Sequence, residues 1–374
     1  MHLHHLKQSN EIAENRVKGP TVFCSHTSGS VASTTSSELN MNFAKATVLT
    51  AIATATLIAT YACGGDGLSY EIAFVLEEED NQLFLLETNG ETSKIVNEAV
   101  ENPVWSPNQR SIAFLADVSN GTGQLKIWDR STEDDTRVPD APNSVSKYFW
   151  SPDSRKIAYQ TDSADNTEVF VHDFDADKTT LLVSEPAGNV ELGNWSGDNE
   201  WVVMRIKVDG GDGIYMRSVN GVNEVQLTDY PDARPRFSLD GQRVAFARTQ
   251  SDETTDIYTL VVDTGDGPSS ASALTDDDGN ETEFEWAPNG RDIVFLSERD
   301  GNAEIYSIDT DDKKTRRLTQ NRVPDSNPIW SLNGKQILFR SEVDGKNHLF
   351  AMDFKSGSQE RIYEDDSNIV DADW

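Results

Sequence analysis

Side chains able to do chemistry are abundant in this chain, but their spacing builds no catalytic motif. Only His172 and His348 lie beyond residue 63, in separate β-rich runs. A mechanism needing several convergent imidazoles cannot be assembled from them, and packing roles are expected for both. No Gly-x-Ser-x-Gly elbow and no phosphate-cradling glycine loop occurs. Asp276-Asp277-Asp278-Gly279-Asn280 sets oxygens at alternate positions, as a calcium loop does. Glu281 stands where such a loop needs its glycine, and Ala287 where it needs its last glutamate. No cofactor and no dedicated metal site is therefore expected, loose Ca2+ binding being the most that these acids offer. His2, His4 and His5 have the composition of a metal site but sit in a polar, aperiodic leader.

Charge says more than motif. The 374 residues carry 64 Asp+Glu against 32 Lys+Arg, a formal net charge of −32. Nucleic acid and anionic membrane surfaces require a basic footprint, so neither is expected as a partner. Cations and basic proteins are favoured. Two cysteines, Cys24 and Cys63, exclude a disulfide scaffold and a four-cysteine zinc site.

Residues 1–40 read as a disordered leader or as the product of a mis-set start, with Met41 the alternative first residue. Met41–Lys45 forms a short positive region, and Ala46 to Ala62 is a continuous apolar and threonine stretch. Together, 41–62 have the layout of a signal peptide; an uncleaved anchor is the alternative, though alanine and threonine make a weak span. Ala62-Cys63-Gly64-Gly65 resembles the end of a bacterial lipoprotein signal. That resemblance implies lipidation of Cys63, a tether over 63–69, and a periplasmic location anchored to the outer membrane or cell surface.

The elements that would position any site come from a repeat. An aromatic followed by a turn recurs at Trp105-Ser106-Pro107-Asn108, Trp150-Ser151-Pro152-Asp153, Trp195-Ser196-Gly197-Asp198, Phe237-Ser238-Leu239-Asp240, Trp286-Ala287-Pro288-Asn289 and Trp330-Ser331-Leu332-Asn333. Trp374 ends the chain in the same register, and the spacings are 45, 45, 42, 49, 44 and 44. Each turn leads into a β-rich run such as Ile112-Ala113-Phe114 or Ile157-Ala158-Tyr159. A second run closes on an acid, as at Asp129, Asp173, Asp263, Asp309 and Asp353, read as turn-formers. A third follows, as in Arg317-Leu318-Thr319. Four short strands per ~44 residues describe a propeller blade. Counting Ile72-Ala73-Phe74-Val75 as a further second strand predicts an all-β, seven-bladed β-propeller over 70–374. The C-terminal strand, ending in Trp374, is expected to pair with the N-terminal blade and leave no open edge. The recurrent indoles are read as packing between blades rather than as a stacking platform for sugars.

Trp150-Ser151-Pro152-Asp153, Ile157-Ala158-Tyr159, Asp300-Gly301-Asn302, Ile305-Tyr306 and Arg317-Leu318-Thr319 together resemble the repeat of TolB-like propellers. The resemblance covers about residues 70–374 and implies a periplasmic binding role. TolB itself carries an α/β domain before a six-bladed ring, which seven residues between Cys63 and the first strand cannot supply. Prolyl-oligopeptidase relatives carry a similar propeller beside a hydrolase domain, for which no residues follow Trp374.

In an up-and-down blade, loops between second and third strands share one face with loops between blades. Assigned from the repeat, these loops hold half of the chain's 64 acids but only five bases, Lys207, Arg234, Arg299, Arg322 and Lys346. This acidic face, around the channel mouth, is expected to bind a protein partner with a basic segment through Asp209, Asp212, Asp276, Asp277, Asp278, Glu281, Asp300 and Asp344. The expected function is thus a monomeric, non-catalytic interaction or ligand-binding module of the cell envelope. The alternative is a propeller-fold polysaccharide lyase or hydrolase with its site at the channel mouth, where Arg236 and Glu285, on inner strands, face the channel.

Overall fold

The computed structural model describes residues 68, 70–77, 81–208, 211–262, 267–363 and 367–374. The leader, the signal-like segment, Cys63, Asp209 and Asp263 lie outside the described residues. The described residues all belong to the unit Leu57–Trp374.

All regular structure among the described residues is β, and the strands group into seven four-stranded antiparallel blades. Blades 2 and 3 are joined into one eight-stranded sheet by a single bridge between Gly123 and Val145. Blade 1 takes its innermost strand from the C-terminus, Asn368–Asp373, and its other three from Ile72–Glu77, Gln82–Leu86 and Thr92–Lys94. Ala73 pairs with Asp373, and Leu76 with Ile369, so the C-terminal strand joins the N-terminal blade as the repeat predicts. The innermost strands of blades 2 to 7 are Val100–Trp105, Val145–Trp150, Val190–Trp195, Ala233–Phe237, Glu281–Trp286 and Asp325–Trp330.

The second strand of every blade is buried on both faces, which explains its unbroken apolar run. In blade 1, Ile72, Phe74 and Leu76 pack on blade 7, while Ala73 and Val75 pack on blade 2. The small residue of one blade thereby receives the aromatic of the next: Phe114 of blade 2 packs with Ala73, and Tyr159 of blade 3 with Ala113. Seven hydrophobic clusters result, one at each interface between consecutive blades, including that between blades 7 and 1. Within five blades the second-strand aromatic stacks on its cross-strand partner in the third strand, as Phe295 does on Tyr306 at 5.8 Å.

Each aromatic of the repeat ends an innermost strand and, Trp150 excepted, is buried. Its indole N–H often reaches back one blade: Trp195 Nε1 donates to Phe149 O at 2.9 Å, and Trp374 Nε1 to Ile329 O at 3.1 Å. The turn acids act as expected. Asp173 Oδ1, for example, accepts the N–H groups of Asp175 and Ala176 at 3.0 and 2.9 Å.

One boundary differs from the sequence reading. The assigned inter-blade loops ran too far, because the innermost strands begin several residues before the apolar pattern does. Glu101, Glu191, Arg234, Glu281, Glu283 and Asp325 belong to these strands rather than to loops. Asn102, Arg234, Glu283 and Asn327 have positive φ, from 47° to 53°, and mark bulges at equivalent points of four blades. A bulge re-aims the side chains beside it.

Candidate functional site: a charged central channel and its acidic rim

Seven innermost strands meeting edge to edge leave a channel between them. Their alternate residues are partly exposed, Arg234 and Glu283 more so, although blades surround them, so what they expose faces that central space. Two layers line it. Near the loop face are Glu101, Lys147, Glu191, Arg234, Glu283, Asn327 and Asp371; one position before the aromatics, deeper in, come Val104, Phe149, Asn194, Arg236, Glu285, Ile329 and Asp373.

The deeper acids satisfy backbone groups of the next blade. Glu285 Oε2 accepts Trp330 N–H at 3.0 Å, and Asp373 Oδ2 accepts Trp105 N–H at 2.7 Å. Asn194 does the same with an amide, accepting from Phe237 N–H at 2.6 Å and donating to Phe237 O at 3.1 Å. Glu285 and Asp373 form no direct ion pair among the described residues, although Arg236 attracts Glu285 from a longer range. Burial pushes the Glu285 carboxyl up to about 8 and that of Asp373 up to about 7. Burial likewise raises Asp371, against the pull of Arg340. Replacing Asn194 by alanine strands both backbone groups of Phe237. We expect a cost of about 1–2 kcal/mol in urea unfolding, with m unchanged.

The cations sit on the other arc. Lys147 Nζ donates to Glu191 Oε1 at 3.2 Å, and Arg234 N–H donates to Glu191 Oε2 at 3.1 Å. Burial works against the charge on Glu191, but Lys147, the Arg234 N–H and Arg236 outweigh it and hold the carboxyl below its ordinary range. Arg236 lies over the Phe149 ring at 4.8 Å and donates from Nη1 to Pro235 O at 3.0 Å. The channel is therefore dipolar: blades 3 to 5 supply Lys147, Arg234 and Arg236, and blades 6, 1 and 2 supply Glu285, Asp371, Asp373 and Glu101.

The rim separates the predicted partner-binding acids. Asp276, Asp278 and Asp344 are exposed and form no ion pair among the described residues. Asp277 pairs with Arg299 at 2.5 Å, Asp212 with Arg205 at 2.7 Å and Asp300 with Arg317 at 2.8 Å. Glu281 requires correction. It is fully buried, held by Ser297 at 2.8 Å and Arg299 at 2.9 Å, and offers nothing to a partner. It starts an innermost strand where blades 2, 3 and 4 carry valine, so an acid read as loop surface is an interior ion pair. Asp232 is a second such case, with both oxygens on Arg248. The Asp276–Asn280 run does not converge on one point: Asp277 turns to Arg299, and Asn280 Oδ1 accepts Thr255 N–H at 3.1 Å. His172 and His348 are buried in different blades, against Thr179 and Arg361 respectively. Arg236 and Glu285 do face the channel as expected. Asp371 and Asp373 were missed, although their place before the terminal Trp374, in register with Glu285 before Trp286, was the available signal.

No family model matches the chain. A stretch of 109 residues, 28% of this chain, is 32% identical to the "Uncharacterized peptidase YuxL" of Bacillus subtilis, and covers 16% of that protein. The propeller domain of the Trilobed protease from Pyrococcus furiosus superposes with a TM-score of 0.62 at 14% identity, over 79% of this chain and 92% of that one. TolB from Acinetobacter baumannii superposes with a TM-score of 0.50 at 19% identity, over 66% of this chain and 63% of that one. The fold is a β-propeller like those of TolB and the peptidases. The comparisons also correct one expectation. A partial relative named as a peptidase, and a propeller of this fold within a protease, remove the ground for reading the chain as lacking enzymatic function. Absence of a motif in one chain does not speak for the protein in which such a propeller works.

Proposed function

We propose that this unit is a peptide-binding propeller of the cell envelope, taking up a basic segment of a polypeptide at its acidic rim and channel mouth. The exposed, unpaired rim acids Asp276, Asp278 and Asp344 carry this reading: they keep their field for an incoming ligand, whereas the paired rim acids are already neutralised. The partial relative named as a peptidase supports a polypeptide as the ligand. The envelope location, with lipid attachment at Cys63, rests on the signal-like run Met41–Cys63 and on the TolB-type repeat.

Asp276→Asn, Asp278→Asn and Asp344→Asn combined should weaken binding of a fluorescent Lys/Arg-rich peptide roughly tenfold at low salt, and much less at high salt. Anisotropy titration measures this. Equal affinities for wild type and triple variant at low salt defeat the reading.

A further inference from the structure

Arg236 is a channel cation of the deeper layer that forms no direct ion pair among the described residues. On the same arc Lys147 is engaged by Glu191, whose other oxygen accepts the backbone N–H of Arg234, and Glu191 and Glu285 reach Arg236 only as longer-range attraction. The Arg236 guanidinium reaches past blade 4 to lie on Phe149 of blade 3, and only Nη1 is committed, to Pro235 O at 3.0 Å. A charged group surrounded by blades costs free energy unless something compensates it. The aromatic ring covers one flat face, and Nε and Nη2 form no hydrogen bond among the described residues, which leaves an edge of donors that can receive a carboxylate. Glu285, in the same layer, does not compete, because burial favours its protonated form near neutrality.

We infer that the floor of the channel at Arg236 receives a free carboxylate, the C-terminus of a basic peptide inserted tail first. This rests on the peptide-binding reading above and adds an orientation to it. The acidic rim opposes small multivalent anions, which excludes phosphates as the natural occupant. A peptide whose side chains are basic and whose terminus is a monoanion satisfies both ends of the path. Its cationic residues meet Asp276, Asp278 and Asp344 at the rim, and its terminus meets the only unpaired guanidinium of the described deeper layer.

The experiment uses the full chain and one Lys/Arg-rich peptide, labelled at its N-terminus, in two forms: free C-terminal acid and C-terminal amide. Wild type should bind the acid about tenfold more tightly than the amide. In Arg236→Gln that ratio should fall to about one, while Arg236→Lys should keep part of it. Equal binding of acid and amide to wild type overturns the inference and leaves the peptide-binding reading standing. Preference for the amide overturns it equally. Failure of both forms to bind defeats the peptide-binding reading, and this inference with it. Because the acid-to-amide ratio is read on wild type, the test holds even if Arg236→Gln does not fold.

Discussion

Truncating Trp374 to alanine should lower the unfolding free energy by about 3–5 kcal/mol, the range for losing a buried indole. Trp374 is 2% exposed and belongs to the cluster between blades 7 and 1, with Ile72, Phe74, Leu338 and Tyr363. Its indole N–H donates to Ile329 O, and its own carbonyl accepts from Gln109 Nε2 at 3.0 Å. One side chain therefore ties the closing strand to blade 7, while its backbone is tied to blade 2. Trp150 is the control. It is only half-buried, although it too donates to the preceding blade, so Trp150→Ala should cost visibly less. Urea unfolding of both variants makes the comparison. A Trp374→Ala loss no larger than that of Trp150→Ala would show that the last interface adds nothing beyond an ordinary contact. Deleting residues 367–374 goes further, exposing the Ile72–Glu77 edge, and should produce association as well as destabilisation.

Glu285→Gln should stabilise the protein above pH 8 and flatten its response to pH. The Glu285 carboxyl rises from 4.5 to about 8 on folding, and that of Asp373 from 3.8 to about 7. A carboxyl raised in the folded state binds its proton more tightly there than in the unfolded chain. Its contribution is fully present below the unfolded value and is lost as the pH climbs through the folded one. Wild type should thus lose stability from about pH 5 to pH 9. At ~1.4 kcal/mol per pKa unit, and allowing for the wetted channel, the loss is about 2–4 kcal/mol. Glutamine keeps an acceptor for the Trp330 N–H and removes the ionisation. Melting curves of both proteins at pH 5, 7 and 9 would show them converging at low pH and diverging at high pH. Parallel curves would refute the assignment. The two proteins differ only at this channel carboxyl, so the difference isolates it.

Much of the architecture could be read before any coordinates, because each repeat states the same physical instruction. Ile112-Ala113-Phe114 and its counterparts are apolar throughout since both faces of the strand are covered. The Trp spacing measures one blade, and the pairing of Asn368–Asp373 with Ile72–Glu77 followed from counting which strand each end lacked. The charge map was less legible. Glu281 and Asp276 stand five residues apart in an acidic run, but one is fully buried on Arg299 and the other faces solvent. Composition cannot separate them, because the innermost strand begins on polar residues and shows no apolar alternation at its start.

The sequence by itself determined the all-β class, the blade length, and which strand would complete the N-terminal blade, since periodic burial leaves a periodic trace in residue type. Only the tertiary structure decided which acids remain available and which are already paired. Rim pairs such as Arg205–Asp212 and Arg299–Glu281 form within one blade, whereas the channel pair Lys147–Glu191 forms across two. The Arg236 guanidinium comes to rest on a ring two blades away, and no local pattern records that contact.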